Sequence, residues 1–221
     1  MLLLDRLDVD IGNTPVLRAV NCALDMGRTY GLVGRNGAGK TTLLRALMGV
    51  LKPRSGSIVF DGADITRAPA SSRLALGFGY MPEDRRLIPD LTVEDNVLMP
   101  LTSLGARNPQ RLEWIYSLMP EVKELRSRLP TLLSGGQQKF VALARALMAG
   151  TKVLLLDEPT EGVAPLVQAR IGKVLRDISG SGSLIFIAES NSKYLSTIAE
   201  RVYLIERGEM ARATSPRTPS S

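Results

Sequence analysis

The segment Gly34-Arg35-Asn36-Gly37-Ala38-Gly39-Lys40-Thr41 carries the clearest structural signal in this chain. The run before it, Thr29-Tyr30-Gly31-Leu32-Val33, predicts a buried strand, and the run from Thr42 to Met48 predicts a helix. Glycines allow successive backbone N–H groups to point into one concavity, and the following helix adds the positive end of its dipole. The sequence therefore predicts a loop, placed between a strand and a helix, that binds the phosphates of a nucleotide.

Two side chains at the end of this loop match the charge of such a ligand. Lys40 is expected to reach the β- and γ-phosphates as a point charge, and the Thr41 hydroxyl to ligate a Mg²⁺ ion that bridges them. The alternative is a glycine-rich turn with a solvated lysine, which gives no reason for the flanking strand and helix. We expect nucleotide contacts from Gly34, Arg35, Asn36, Gly37, Ala38, Gly39, Lys40, Thr41 and Thr42.

Composition limits the classes of protein that the chain can represent. It has 221 residues, 44% of them apolar, a net charge of +6 and one cysteine, Cys22. This length favours one domain with an inserted lobe and permits an enzyme. One cysteine excludes an internal disulfide framework and is expected to be a small buried hydrophobe. The basic balance suits anionic nucleotides, a membrane surface or nucleic acid, and does not choose among them.

The sequence shows no apolar run of the length that a membrane-spanning helix needs, because Arg or Asp interrupts each run. The amino terminus lacks the basic flank of a secretory signal. We therefore expect a soluble cytosolic chain, and we expect any membrane role to be mediated by partners.

Five apolar runs predict buried strands, and helical patterns separate most of them. The runs are Tyr30 to Val33, Ile58 to Phe60, Val153 to Leu156, Leu184 to Ala188 and Val202 to Ile205. This alternation predicts an α/β fold with a largely parallel sheet, which binds ligands at the carboxyl ends of its strands. Residues 87–150 predict an inserted helical lobe beside a core of residues 1–86 and 151–210, and residues 211–221 predict a mobile tail.

A second motif, Val153-Leu154-Leu155-Leu156-Asp157-Glu158, delivers two adjacent carboxylates at a predicted strand end. In a parallel sheet this end lies near the phosphate loop, so Asp157 is placed to hold the Mg²⁺ ion directly or through water. Glu158 is then the candidate to orient and deprotonate the water that attacks the γ-phosphate. The alternative role for Asp157 is a simple helix cap.

The third motif is Leu133-Ser134-Gly135-Gly136-Gln137-Gln138, placed before a predicted helix that runs to about Met148. A serine and two glycines at a helix start make a second anion cradle, or else an ordinary cap. This string resembles the signature sequence of ATP-binding cassette (ABC) proteins, and its order relative to the other two motifs also fits that family. The resemblance covers the chain up to the predicted tail.

The resemblance implies a single ABC domain over residues 1–221. Its fold is a P-loop NTPase core with a mostly parallel sheet, an antiparallel β edge and an inserted helical subdomain. In that family two cassettes pair head to tail, so Ser134, Gly135, Gly136 and Gln137 are expected to contact ATP held by a partner cassette. Adenine is expected near Ile11 and Val16.

The implied partners are a second cassette, identical or different, two membrane permease subunits and, indirectly, an extracytoplasmic substrate-binding protein, with no nucleic acid. The implied location is the inner face of the cell membrane.

Several further strings resemble the ATPase subunits of branched-chain amino acid importers. They are Thr14 to Arg18, Gly79 to Arg86, Leu91 to Asn96 and Glu158 to Pro165. Importers of sugars, amides or urea share parts of these strings. The resemblance thus implies an ATP-hydrolysing importer subunit for branched-chain amino acids or related amides, in which ATP closes the cassette dimer and hydrolysis reopens it.

The chain departs from the family pattern at three positions. Most cassettes have an aromatic ring near Ile11 and a glutamine where this chain has Glu83. The chain has no histidine, and Ser190 stands where cassettes usually carry a switch histidine that senses the γ-phosphate. We expect a slow ATPase that works in a heterodimer with a more complete cassette.

Two other functions remain open from the sequence. A regulatory cassette would bind ATP only to hold its partner, and a DNA- or ribosome-associated cassette would suit the basic charge. Within the transporter function, residues Glu83 to about Pro100 are the expected permease contact. Apolar Leu87, Ile88, Leu91, Val97 and Leu98 are expected to line that groove or to form the core of the lobe.

Overall fold

The structure is a computed structural model that describes residues 1–214. Its strands are β1 (Leu2–Ile11), β2 (Thr14–Leu24), β3 (Thr29–Val33), β4 (Ser55–Phe60), β5 (Ala63–Asp64), β6 (Phe78–Met81), β7 (Val153–Asp157), β8 (Leu184–Glu189), β9 (Arg201–Glu206) and β10 (Glu209–Thr214). Its helices are α1 (Lys40–Leu47), α2 (Ala70–Ala75), α3 (Val93–Thr102), α4 (Pro109–Leu118), α5 (Pro120–Glu124), α6 (Gly135–Ala149), α7 (Pro165–Ile178) and α8 (Ser192–Leu195), with a 3₁₀ turn at Pro130–Leu132.

A six-stranded sheet forms the centre of the molecule. Its strand order is β10-β9-β3-β8-β7-β6, and every neighbouring pair is parallel except β10 with β9. This confirms the predicted α/β fold with a largely parallel sheet. Because β8 lies between β3 and β7, the residues that follow β8 sit between the glycine loop after β3 and the acidic end of β7.

The antiparallel part of the fold is a separate four-stranded sheet in the order β2-β1-β4-β5. The run Ile58 to Phe60, which we predicted in the parallel sheet, belongs to β4 and pairs antiparallel with β1 through Leu2↔Phe60. That prediction was wrong because a short apolar run shows burial but not its pairing partner. Irregular register and positive φ at Arg6 and Ala19 break the alternation in β1 and β2, which the apolar runs did not reveal.

Side chains of the central sheet alternate between two hydrophobic clusters, one on each face. In β7, Val153 and Leu155 join the cluster that contains α1, whereas Leu154 and Leu156 join the cluster that contains α3 and α6. Helix α6 is buried from Lys139 to Ala149 and packs on β6 and β7, so the predicted lobe shares this core with the sheet. Cys22 is buried in the first cluster as expected, and burial raises the pKa of its thiol to about 12.

Strand β10 corrects the predicted tail at its beginning. It pairs antiparallel with β9 through Ala211↔Leu204 and Thr214↔Val202, so residues 211–214 are strand. Ladder hydrogen bonds to β9 form although the composition of this segment is poor in core residues. The remainder of the predicted tail, residues 215–221, lies outside the described residues.

No helix within residues 1–214 combines the length and the apolar character needed to cross a membrane.

Candidate functional site

The glycine loop between β3 and α1 needs its glycines because its backbone lies very close to neighbouring segments of the chain. A Cβ on Gly34 would lie 2.5 Å from the carbonyl oxygen of Ile205, and Gly39 has a φ of 113° with Leu17 Cδ2 only 2.8 Å from an added Cβ. Helix α1 begins at Lys40 with no side-chain cap. Its first N–H groups therefore keep their capacity to bind an anion.

The loop opens onto a cavity of about 400 Å³. Its lining combines residues from the β1–β2 hairpin, the loop, the start of α1, the segment after β6 and the end of β7. These are Ile11, Val16, Asn36, Gly37, Gly39, Lys40, Thr41, Thr42, Glu83 and Glu158. Gly34, Arg35 and Ala38, together with Asn36 and Gly37, line a neighbouring cavity of about 440 Å³ beside Leu204 to Arg207. We refer to the first cavity as the loop cavity.

Lys40 is the cation of the loop cavity, with a side chain 5% exposed. Its Nζ donates to the carbonyl oxygens of Gly34 at 2.7 Å and Arg35 at 3.3 Å. It also lies 3.0 Å from Glu158 Oε1, in an ion pair that lacks hydrogen-bond alignment. The two residues predicted for catalysis are thus in direct contact.

Asp157, at the end of β7, is fully buried. Its Oδ2 accepts from the Tyr80 hydroxyl at 3.3 Å, whereas its Oδ1 has no hydrogen-bond partner among the described residues. Burial raises the pKa of this carboxyl to about 6, and the nearby Thr41 hydroxyl opposes that rise. A buried carboxylate oxygen without a partner, next to a threonine hydroxyl, is a donor set that fits Mg²⁺.

The described residues hold no cluster of three or more His, Cys, Asp or Glu side chains that would ligate a metal ion by itself. Mg²⁺ commonly keeps several waters and takes one or two protein ligands together with substrate phosphates. The pair Thr41 and Asp157 therefore suits a cation that arrives with a nucleotide.

Glu158 follows Asp157 with a φ of 47°, in the left-handed region that disfavours non-glycine residues. Its N–H donates to the carbonyl oxygen of Ala188 at 2.9 Å. Its Oε2 accepts from the backbone N–H of Ser190 at 3.1 Å and from the Ser190 hydroxyl at 3.3 Å. The side chain is 3% exposed, so these contacts fix the carboxylate at the inner wall of the loop cavity.

A buried acid that our sequence reasoning missed, Glu189, ends β8 beside this group. It accepts from the N–H of Thr160 at 3.0 Å and from the Thr160 hydroxyl at 2.7 Å, and it is 2% exposed. Burial, followed by the neighbouring carboxyl of Glu158, raises the pKa of Glu189 to about 8. The same pattern that identified Asp157, an apolar strand that ends in an acid, was present at Leu184 to Glu189 and marked this residue.

The predicted signature residues form the start of α6. Ser134 Oγ accepts from the N–H of Gln137 at 3.3 Å, and Gln137 Oε1 accepts from the N–H of Ser134 at 2.9 Å. This reciprocal capping box leaves the Ser134 hydroxyl proton available. None of the four residues Ser134 to Gln137 is among the described residues that line the loop cavity. Within one chain, the two glycine-rich helix starts are therefore separate.

A family model described as ABC transporter matches residues 17–161, which is more than half of the chain. The chain belongs to the ABC transporter family and is an ATP-binding cassette. ABC cassettes of this family bind and hydrolyse ATP, dimerise and pair with membrane permease components. The fold is that of the family.

Curated relatives include an amino acid transport protein and lipopolysaccharide export proteins. The high-affinity branched-chain amino acid transport ATP-binding protein BraG of Pseudomonas aeruginosa is 33% identical over 95% of this chain and 91% of its own length. The lipopolysaccharide export system ATP-binding protein LptB is 34% identical in Acidithiobacillus ferridurans and 33% identical in Escherichia coli K12. Each LptB match covers 91% of this chain and 85% of the relative. Identity alone does not separate the two kinds of relative.

Solved cassettes share the whole fold. The ADP conformation of the ATP-binding cassette MJ1267 has a TM-score of 0.83 and 25% identity, over 97% of this chain and 91% of that one. A dimeric post-hydrolysis state of the cassette MJ0796, bound to ADP and phosphate, has a TM-score of 0.86 and 24% identity, over 99% of this chain and 100% of that one. The second likeness concerns the fold alone.

Proposed function

We propose that this chain is the ATP-hydrolysing subunit of an importer for branched-chain amino acids or related amides. The observation that carries the hydrolytic part is the loop cavity, in which Lys40, Thr41 and Glu158 meet beside the buried carboxylate of Asp157. The similarity to BraG supports the substrate class.

Each residue of the loop cavity has a separate role in this proposal. The amides of Gly34 to Thr42 cradle the phosphates, and Lys40 exchanges its contact with Glu158 for the β- and γ-phosphates. Thr41 and Asp157 would hold Mg²⁺, which neutralises charge on the phosphates when it is bound. Once Lys40 has moved, the Glu158 carboxylate accepts a proton from the attacking water. Glu83 faces the same cavity, where its carboxylate repels phosphate oxygens unless a cation lies between them.

The second half of each site comes from another cassette in this proposal. Ser134 satisfies the first turn of α6 with its own oxygen, yet its hydroxyl proton and the N–H groups of Gly135 and Gly136 remain available at a helix start. These groups suit the γ-phosphate of an ATP held by a partner cassette. The side chain of Gln137 stays in the capping box and stabilises that helix start.

The adenine end of the cavity offers apolar contact without stacking. Ile11 is 50% exposed at the mouth of the cavity, and Val16 lies beside it. An aromatic ring adds about 1 kcal/mol to the binding of a flat base beyond its buried area. Base recognition in this subunit is therefore weaker and less selective than in a cassette with an aromatic residue here.

Turnover by the isolated chain is slow in this proposal. Ser190 is short, carries no charge and already donates to Glu158 Oε2, so it stabilises the base and leaves the γ-phosphate without an imidazole partner. A heterodimer with a second, more complete cassette would supply the missing group at one of the two sites.

A groove between core and lobe is the proposed contact for the two permease subunits, which would hold the chain at the inner face of the membrane. It has a volume of about 300 Å³ and is lined by apolar residues that include Met48, Leu74, Met99 and Pro100, with Arg45 and Arg86 also lining it. Arg86, Met99 and Pro100 belong to the predicted segment Glu83 to Pro100, but none of the five apolar residues named for the groove is among the described residues that line it. Three of them fit the alternative, the core of the lobe. Val97 is fully buried in the second cluster, and Leu87 and Leu98 pack against that cluster.

The similarity to LptB favours one further candidate, an export subunit with the same ATP chemistry. A regulatory cassette is favoured only by the serine at position 190. The intact contact between Lys40 and Glu158 argues against that candidate because a purely structural nucleotide needs no base.

The test is reconstitution of the chain with its permease subunits in vesicles. Uptake of labelled leucine that depends on ATP and is lost in Glu158→Gln supports the importer function. Export of a lipid substrate, or hydrolysis without any uptake of amino acids or amides, contradicts it.

A further inference from the structure

A buried lysine on the signature helix has no role in the function proposed above. Lys139 lies in the second turn of α6 and is 1% exposed. A buried ammonium group is expensive unless it is paired with a charge or fully hydrogen-bonded. None of the ion pairs among the described residues involves Lys139, so main-chain acceptors must satisfy it.

These acceptors belong to two residues that line the loop cavity. Lys139 Nζ donates to the carbonyl oxygen of Glu158 at 2.6 Å and to that of Glu83 at 3.3 Å. Glu158 follows β7, Glu83 follows β6, and Lys139 is five residues beyond the cap Ser134. One ammonium group therefore joins the signature helix to both sides of the cavity wall.

The contact to Glu158 is directed at a strained part of the backbone. Glu158 keeps a φ of 47°, which its surroundings must hold because a non-glycine residue does not favour it. Its N–H is fixed by Ala188 on β8, and its carbonyl oxygen is fixed by Lys139. Both contacts therefore constrain the peptide that carries the Glu158 carboxylate, which lies beside Lys40 and Ser190.

The same helix also grips the segment that follows Glu83. Gln138 Oε1 accepts from Arg85 Nη1 at 2.9 Å, and Arg145 donates to the carbonyl oxygens of Arg85 and of Arg86, the latter at 2.7 Å. Because a helix is stiff over one or two turns, a small displacement of its N-terminus is transmitted to these carbonyl groups.

We propose that Lys139 is a positioning residue for ATP hydrolysis. It holds the Glu158 peptide in its strained conformation and couples the placement of the Glu158 carboxylate to the signature helix. This inference rests on the proposed hydrolytic function. In it, Lys139 transmits a contact made at Ser134 to Gly136 to the position of the Glu158 carboxylate.

The test compares Lys139→Met with Arg111→Met in the full chain, together with the second cassette if hydrolysis requires one. Arg111 is a matched control because it also donates to main-chain carbonyl oxygens, those of Leu147 at 2.9 Å and Gly150 at 3.2 Å. Neither of these acceptors belongs to a residue that lines the loop cavity. We expect Lys139→Met to lower kcat about 100-fold, the size of effect that a base displaced by about 1 Å produces. ATP affinity should stay within about twofold because the phosphate loop is unchanged, and Arg111→Met should keep the wild-type kcat.

A double variant separates positioning from a general loss of structure. In the Glu158→Gln background, Lys139→Met should cause no further loss of hydrolysis, since the base that it positions is already gone. A Lys139→Gln variant, which retains one donor, should recover part of the lost kcat and serves if Lys139→Met does not fold.

Three results would overturn the inference. They are a wild-type kcat in Lys139→Met, a loss of kcat that only follows the folded fraction, and equal losses in Lys139→Met and Arg111→Met. If the wild-type assembly itself hydrolyses no ATP, it is the proposed function that fails, and this outcome is distinct from the other three.

Discussion

The two glycine-rich helix starts of this chain differ in what surrounds them. The one before α1 has no capping side chain and opens onto a cavity of about 400 Å³ with a lysine, two threonines and two glutamates in its wall. The one before α6 is closed by a reciprocal capping box. The first combines amides with a lysine, hydroxyls and carboxylates, whereas the second offers a hydroxyl proton, amides and the guanidinium of Arg85, which donates to Gln138. The difference explains why one chain is expected to need another.

The largest predicted effect concerns the base at the α1 site. Glu158→Gln should reduce ATP hydrolysis in the assembled complex about 1000-fold, because the amide cannot accept the proton of the attacking water. Nucleotide binding should persist. Single-turnover hydrolysis with radiolabelled ATP measures this effect, and a variant that retains wild-type hydrolysis would remove Glu158 from the mechanism.

The purified wild-type chain alone should turn over slowly, so rapid steady-state turnover by it would contradict the proposed need for a second cassette.

The next effect separates the two helix starts directly. Lys40→Ala should weaken ATP binding about 100-fold, because a charged group with more than one hydrogen bond to phosphate is lost. Ser134→Arg should leave binding by the same chain unchanged and block the ATP-dependent closure of the dimer. Calorimetry measures ATP binding, and gel filtration with ATP measures the closure of the dimer. Equal loss of binding in both variants would mean that the two starts serve one site within a chain.

A smaller effect concerns Glu189, which lies beside Glu158 and not at the cap of α6. The pKa of Glu189 is raised from 4.5 to about 8, so the folded chain holds a proton that the unfolded chain loses. The contribution of this carboxyl to the free energy of unfolding should therefore be largest below pH 4.5. It should decrease as the pH rises from there through about 8. Glu189→Gln should flatten this decrease, as urea unfolding at a series of pH values would show. Identical slopes in the two proteins would contradict the buried neutral carboxyl.

The smallest effect concerns the adenine end of the loop cavity. Ile11→Tyr should raise the affinity for ATP about fivefold, because a ring at this half-exposed position adds about 1 kcal/mol of stacking. Ile11→Leu is the matched control and should leave the affinity unchanged. Titration with a fluorescent ATP analogue measures both variants. A tyrosine variant with the affinity of Ile11→Leu would show that the base does not lie against residue 11.

Local patterns were sufficient for much of the fold. The glycine spacing with its flanking strand and helix predicted the loop before α1, because neighbouring residues alone determine that geometry. The serine at position 134 and the glutamine three residues later likewise encode the capping box. The apolar runs at Val153 and Leu184 predicted central strands, since only strands buried on both faces are apolar throughout.

What the sequence did not reveal depends on contacts between distant segments. Glu189 was missed although its strand end carries the same local pattern as Asp157, because its place beside Glu158 depends on the order of strands, with β8 between β3 and β7. Lys139 was missed because a lysine in a helical pattern is usually solvated, and its acceptors lie in two other segments. Ile58 was assigned to the wrong sheet, and residues 211–214 to a tail, because both depend on pairing partners far along the chain.

The shared nucleotide site is tested most directly by the structure of the complex of Glu158→Gln with its second cassette, trapped with ATP. We expect the N–H groups of Gly135 and Gly136 to lie within about 3 Å of the γ-phosphate of the ATP that the second cassette holds. An ATP-bound complex in which both glycines are remote from every nucleotide would contradict it.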